Sequence, residues 1–216
     1  MTAKKTPQRT VRTTLNRDYI AAVALSVIDE AGLDGFSMRK LAAALGADPM
    51  AAYRHVADQQ DLFDAVTVLL SAEMDLDSLA WQSDWRELMC GYADRLHVTL
   101  QRHPHAVPVF ATRPVRDPAA IEIGDRMINR LREAGFTPAV ALQLTRCLRE
   151  YTIGHVMGWA TAVTGRSGKP APGSPDYTPL AAAADAAAGT DHFDIGLTAM
   201  LDGFSRHLTP GNPPGI

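Results

Sequence analysis

The chain has 216 residues, 46% hydrophobic and 21% charged, with a formal net charge of −3. That is enough chain for one large or two small globular domains, and a composition unlike that of disordered or fibrous sequences. No apolar run is long enough to span a bilayer, and the N-terminus MTAKKTPQRTVRTTLNR lacks the apolar stretch of a signal peptide, so a cytoplasmic location is expected.

The charge is unevenly placed. Residues 1–60 carry 8 basic against 6 acidic side chains, and residues 61–216 carry 13 against 18. Lys4, Lys5, Arg9, Arg12 and Arg17 meet no acidic residue before position 18. Composition alone makes residues 1–16 either a plain flexible tail or a phosphate-binding arm. Cys90 and Cys147 lie far apart in no metal-ligand spacing and are expected to be reduced.

From residue 17 the pattern is helical. Ile20, Val23, Ala24, Val27, Ile28 and Ala31 recur at amphipathic-helix spacing, and Gly32 stands where a helix-ending glycine belongs. Ser37 caps a second, short helix that Gly46 ends, and Asp48 with Pro49 opens a third. Asp58 and Asp61 resemble a capping box at the start of a fourth helix through Leu62, Ala65, Val66 and Leu69. Further helices are predicted over 85–103 and from 118 to about 134, ended by Gly135. A long one over 138–163 carries apolar or small residues on more than one face, so it packs on two sides. A Pro/Gly/Ser loop at 164–180 is expected to be mobile; an alanine-rich helix and a last helix over 192–208 follow, then a tail over 209–216. The fold class is all-α.

Helices as short as those at 38–56 do not hold in water alone. Two of them around a glycine turn, braced by a longer helix, form a helix-turn-helix, whose second member lies in the DNA major groove. Eight residues from Pro49 give a recognition helix of about 12 Å, comparable to the groove width. Ala52 and Val56 face the bundle, which leaves Pro49, Met50, Ala51, Tyr53, Arg54 and His55 outward. Arg54 can donate to guanine O6 and N7, Met50 or Ala51 can touch a thymine methyl, and Tyr53 and His55 can donate to phosphates. Two short capped helices also occur in bundles with no DNA role. The basic arm just before them favours DNA, because such arms enter neighbouring grooves.

Residues 15–66, LNRDYIAAVALSVIDEAGLDGFSMRKLAAALGADPMAAYRHVADQQDLFDAV, resemble the DNA-binding domain of the TetR family of transcriptional regulators. ATRP at 111–114, LREAGF at 131–136, REYTIGHVMG at 149–158 and FDIGLTAMLDGFSRHL at 193–208 resemble the regulatory domain of the tetracycline repressor subgroup in order and spacing. The resemblance implies a helix-turn-helix three-helix bundle over 17–62 and a ligand-binding and dimerisation domain over 63–208. It assigns residues 138–163 and 192–208 to a homodimer interface, with Gly154, Gly158, Leu197, Met200, Leu201 and Phe204 in contact. It also makes Arg39 a second base or phosphate contact. Gln59 stands where the family has a phosphate-binding lysine, leaving more of the backbone anchoring to the arm.

The resemblance places an effector pocket among Met89, Tyr92, Leu96, Phe110, Thr112, Arg113, Met127, Leu144, Cys147, Tyr151 and His155. The same residues are what an ordinary helical core contains. Phe110, Asp75 and Gly158 replace the two histidines and the acidic residue with which the subgroup holds a magnesium–tetracycline chelate, so no tetracycline binding, metal or cofactor is expected. His97, His103 and His105 lie near one helix end without completing a metal set. The expected function is a repressor that releases a palindromic double-stranded operator when a small hydrophobic effector binds. A ligand-independent dimeric DNA-binding protein is the alternative. An enzyme is disfavoured because no nucleophile–histidine–acid order, phosphate-binding glycine loop or paired carboxylates are visible.

Overall fold

The computed structural model describes residues 15–113, 117–163, 178–187 and 192–208. Lys4, Lys5, Arg9 and Arg12 of the arm, residues 164–177 of the loop predicted as mobile, and the tail from 209 lie outside them. The described residues form helices and turns with no strand among them. The chain divides into two compact units after Val66.

In the first unit, α1 (Arg17–Ala31) starts where the Asn16 side chain accepts from the Tyr19 N–H at 2.7 Å. It stops at Gly32, whose φ of 72° costs a side-chain-bearing residue energy that glycine avoids. A 3₁₀ turn, Leu33–Gly35, precedes α2 (Met38–Leu45). Ser37 caps α2 by accepting from the Lys40 N–H, and Gly46 closes it in the left-handed region, φ 60° and ψ 31°. Asp48 then caps α3 (Pro49–Ala52), and α4 (Gln59–Glu73) follows. Ile20, Ala24, Ile28, Leu41, Ala52, Val56, Leu62 and Val66 form the unit's core, and the Phe36 and Phe63 rings meet at 5.5 Å.

Two expectations change here. The buried face of α1 is Ile20, Ala21, Ala24, Leu25 and Ile28, whereas Val23 and Val27 are half-buried and Ala31 is exposed. The core therefore takes the line one residue round, where Leu25 supplies more area than Ala31. The recognition helix is also shorter than eight residues. Regular α-helix ends at Ala52, and the His55 N–H turns back to the Ala52 carbonyl at 2.9 Å, a tighter i→i−3 closure.

The second unit contains a 3₁₀ turn (Leu76–Ser78), α5 (Trp85–Arg102), α6 (Val107–Ala111), α7 (Pro118–Glu133), α8 (Pro138–Val163), α9 (Thr178–Ala187) and α10 (Phe193–Ser205). Asp84 caps α5 by accepting from the Arg86 and Glu87 N–H groups, and Asp117 caps α7 through the Ala120 N–H. α8 is the axis: α5, α6, α7 and α10 all pack on it. Its buried residues include Ala141, Leu144, Leu148, Thr152, Ile153, Val156 and Ala160, which is how one helix serves neighbours on two sides. Met89, Leu88, Leu131, Phe136, Phe193 and Leu197 complete the core around it. Each buried leucine or phenylalanine contributes about 1.5–3 kcal/mol by leaving water. Trp81 anchors the turn before α5: it is buried, and its indole N–H donates to the Leu76 and Asp77 carbonyls at 3.1 Å.

Candidate functional site

In the first unit, capping and packing of α3 decide which side chains are free. Ala52 and Val56 are each 1% exposed and hold the segment to the bundle. Met50 is 66% and Tyr53 40% exposed; Arg54, His55 and Gln59 are exposed as well, and Ala51 is half-buried. Pro49 occupies the first turn of α3, and Arg39 is exposed on α2. A large methionine and a tyrosine left in water beside an arginine and a histidine form a face with apolar, donor and cationic groups together.

A single arginine ties this face to the helices behind it. Arg17 at the start of α1 donates to both Asp61 carboxylate oxygens at 2.8 and 2.6 Å, and to the Asp61 carbonyl at 3.1 Å. Its guanidinium also reaches the His55 carbonyl, at 3.5 Å. Asp61 accepts from the Ala57 N–H and donates its own N–H to Asp58, so the predicted capping box closes one residue earlier than expected. The hydrogen bonds from Arg17 and Ala57 hold the Asp61 carboxyl down at about 2.

The second unit encloses a cavity of about 480 Å³, within the range of small-molecule sites. Val68, Ser71 and Ala72 of α4 and residues 74–77 form one wall, with Tyr92 from α5 and Phe110 from α6. α7 supplies Ala119, Ala120, Ile123, Gly124, Met127 and Ile128, and α8 supplies Leu142, Thr145, Arg146 and Arg149. Asp75 on the rim adopts φ 47°, a left-handed conformation that side-chain-bearing residues rarely take. Arg95 braces it, donating to the Met74 carbonyl at 3.2 Å, to the Asp75 carbonyl, and to Ser78 Oγ at 2.8 Å. Arg149 donates to the Phe110 carbonyl at 3.2 Å and lies over the Phe110 ring.

Of the residues predicted for a pocket, Tyr92, Phe110 and Met127 line this cavity. Met89, Leu96 and Leu144 are buried in the packed core instead. Tyr151 of α8 packs against the start of α10, donating its hydroxyl to the His192 and Phe193 carbonyls at 3.2 and 2.9 Å. His155 meets the His97 and His192 rings at 5.2 and 4.7 Å, away from the lining. Cys147 and Arg113 are half-buried and Thr112 is exposed; none of the three lines the cavity. Both cysteines are free. Ser71, Arg146 and Arg149 escaped the sequence reading, although two arginines four or fewer positions apart on a mostly apolar helix were a visible signal.

Among the residues assigned to a dimer interface, Gly154 and Gly158 are exposed, with open space where a Cβ would stand. Leu197 and Leu201 are buried within the unit, and Met200 and Phe204 are half-buried against its core. Among the described residues, Leu142 and Met157 on α8 and Ile195 on α10 are large apolar side chains left in water, 42%, 42% and 65% exposed. Among the described residues no helix is long and apolar enough to cross a membrane, and no group of three or more His, Cys, Asp or Glu could hold a metal ion.

Residues 80–208 match the family described as tetracyclin repressor-like, C-terminal domain. The chain belongs to the TetR family. It is 30% identical to the tetracycline repressor protein class A from transposon 1721 of Escherichia coli, over 94% of this chain and 97% of that protein. It is 26% identical to the HTH-type transcriptional repressor DrrR1 of Streptomyces coeruleorubidus, matching 68% of this chain but only 55% of that longer protein. A possible TetR family transcriptional regulator from Streptomyces coelicolor A3(2) shares its fold, with a TM-score of 0.77 and 30% identity over 88% of this chain and 99% of that one.

Proposed function

We propose that this protein is a homodimeric, operator-binding transcriptional repressor of the cytoplasm, and not an enzyme, that lets go of DNA when a small, mainly apolar molecule enters the second unit's cavity. The observation that carries the reading is the exposed set Met50, Tyr53, Arg54 and His55 around a capped helix whose Ala52 and Val56 are fully packed. A buried inner face fixes the helix, so the outer face can be positioned against base edges instead of folding onto the protein. Arg54 reads guanine, Met50 or Ala51 meets a thymine methyl, Tyr53 and His55 hold phosphates, Arg39 adds a base or phosphate contact, and Gln59 stands at the duplex without the charge of a lysine.

Dimerisation supplies the second half-site. The exposed Met157 and Ile195, beside Gly154 and Gly158, support pairing through α8 and α10, because two large apolar groups and a bare backbone stripe lose water without steric cost. α4 gives Gln59 to Val66 to the first unit and Val68, Ser71 and Ala72 to the cavity wall, so one helix carries residues of both functions. A coupling of about 1–3 kcal/mol between cavity and head would change operator affinity roughly 5–150-fold.

Selection of bound duplexes from a random library, followed by affinity against salt, tests the reading. A palindromic, guanine-containing consensus whose binding collapses in Arg54→Ala is the expected result. Sequence-indifferent binding that disappears steeply with salt would mean that the protein only grips phosphates.

A further inference from the structure

The cavity's mostly apolar lining carries a tyrosine hydroxyl and arginine side chains whose donors the protein does not fully use. Tyr92 lines it, and its hydroxyl makes no hydrogen bond among the described residues, although burial pushes its pKa up. Tyr92 is half-buried, so its hydroxyl is a donor at the cavity surface that no described residue uses. Arg149 is half-buried beside it, close enough for its charge to act on the phenol. The guanidinium gives one N–H to the Phe110 carbonyl and has no carboxylate partner among the described residues.

The acidic residues on the lining are differently placed. Asp75 is paired with Arg95, and its carboxylate also accepts from Ser78. Asp117 accepts the Ala120 N–H at the start of α7. Asp77 is exposed. Ser71 and Thr145 already donate to the backbone, to the Thr67 and Leu142 carbonyls, and so can only accept further. What remains available on the lining is therefore the Tyr92 hydroxyl, the half-buried Arg149 and the exposed Arg146, next to apolar walls.

We infer that the effector is an apolar organic acid, whose carboxylate, phenolate or other anionic oxygen is received by the Tyr92 hydroxyl and the Arg149 guanidinium while its hydrocarbon or aromatic body fills the α7 side of the cavity. The inference rests on the cavity being the effector site of the proposed repressor, and it narrows that site to one ligand chemistry. Such a ligand accepts from the Tyr92 hydroxyl and the Arg149 guanidinium at once, and a charge-assisted hydrogen bond is about twice as strong as a neutral one. An amine of the same shape would set its charge against Arg149.

Two fluorescent probes separate the possibilities: 8-anilinonaphthalene-1-sulfonate and N-phenyl-1-naphthylamine, which share an aromatic body and differ in the sulfonate. Titrated into the full chain, the sulfonate is expected to bind with one dye per chain and about tenfold more tightly than the neutral dye. Tyr92→Phe and Arg149→Gln should each remove most of that preference while changing neutral-dye affinity less than about twofold. Tyr92→Phe should leave the melting temperature unchanged or raise it, which a structural tyrosine would not do. Arg149→Lys keeps the charge and should keep part of the preference; it serves if Arg149→Gln folds poorly. Equal affinities for the two dyes, or a preference that survives in the Tyr92→Phe/Arg149→Gln protein, would overturn the organic-acid assignment and leave the cavity as an effector site for neutral ligands. Failure of both dyes to bind would remove the cavity as a ligand site, and the effector-controlled reading with it.

Discussion

Asp61→Asn is the substitution that most directly tests how the DNA-reading unit is held together. The carboxylate receives two Arg17 N–H groups and the Ala57 N–H, and Arg17 also reaches the Asp61 and His55 carbonyls. An asparagine keeps the size but offers one acceptor oxygen and no charge. The carboxyl titrates at about 2 against an ordinary 3.8. At 1.36 kcal/mol per pH unit that gap corresponds to ~2.4 kcal/mol. The Arg17 and Asp61 side chains are 42% and 32% exposed, so water screens the pair, and the expected loss at neutral pH is nearer to about 1 kcal/mol.

The pH dependence has a definite sign. A carboxyl depressed in the folded state binds its proton more readily when unfolded, so its contribution is complete above pH 3.8 and fades as pH falls through about 2. The deficit of Asp61→Asn relative to the natural protein should therefore be full at pH 7 and roughly halved at pH 3. Amide hydrogen exchange over residues 17–31 and 59–66 reads this unit separately from the second one. A deficit that is absent at pH 7, or equally large at pH 3, would show that the Arg17–Asp61 contacts do not hold the charge as the geometry implies. Arg17→Lys, which cannot form the two-pronged contact, should lose part of the same stability.

Three further outcomes follow from single positions. Gly46→Ala forces φ 60° on a residue with a Cβ and should cost about 1 kcal/mol by denaturant melt, with Gly46→Asn milder; equal stabilities would mean that the turn relaxes. At Gly196 a Cβ would fall on the Tyr151 hydroxyl and 2.5 Å from Cζ of its ring, which stacks on Phe193. Gly196→Ala should therefore destabilise the second unit by roughly 1–3 kcal/mol, and Tyr151→Phe in the same chain should restore only part of it, because the hydroxyl goes but Cζ and Cε2 of the ring stay in the way. Arg95→Ala removes the brace on the left-handed Asp75 and should lower the melting temperature and weaken binding of the sulfonate dye together; loss of one without the other would separate the rim from the cavity.

The helices and their ends were readable because the signals were local. Asn16, Ser37, Asp48, Asp84 and Asp117 each cap a helix, and Gly32, Gly46 and Gly135 take positive φ after one. The turn Leu33–Gly35 and the buried Trp81 carried no periodic pattern, since a single turn is too short to show one. On α5, α8 and α10 the difficulty was different. Met89, Leu96, Leu144, Leu197 and Leu201 look the same in sequence whether they face a neighbour, a ligand or a partner subunit, and here they are packed inside the unit. A cavity is a property of the atoms that are missing, so Ala72, Ala119, Ala120 and Gly124 define it as much as Phe110 does.

The places where this chain breaks local rules converge on that cavity. Asp75 is the non-glycine residue with positive φ among those described, and Tyr92 and Arg149 are both half-buried, the first with a hydroxyl that donates to none of the described residues and the second without a carboxylate partner among them. All three line one space of about 480 Å³. Each could be relieved by one substitution, to glycine, phenylalanine or glutamine, so packing alone gives no reason to keep them. On α7, Met127 and Leu131 are the buried residues, both in its second half, and the small residues Ala119, Ala120 and Gly124 of its first half leave room instead of filling it. A chain that caps its helices this carefully and then leaves a rim strained, a hydroxyl unmet and a wall unfilled is less stable than it could be, and that concentration in one cavity is the expected signature of a binding site.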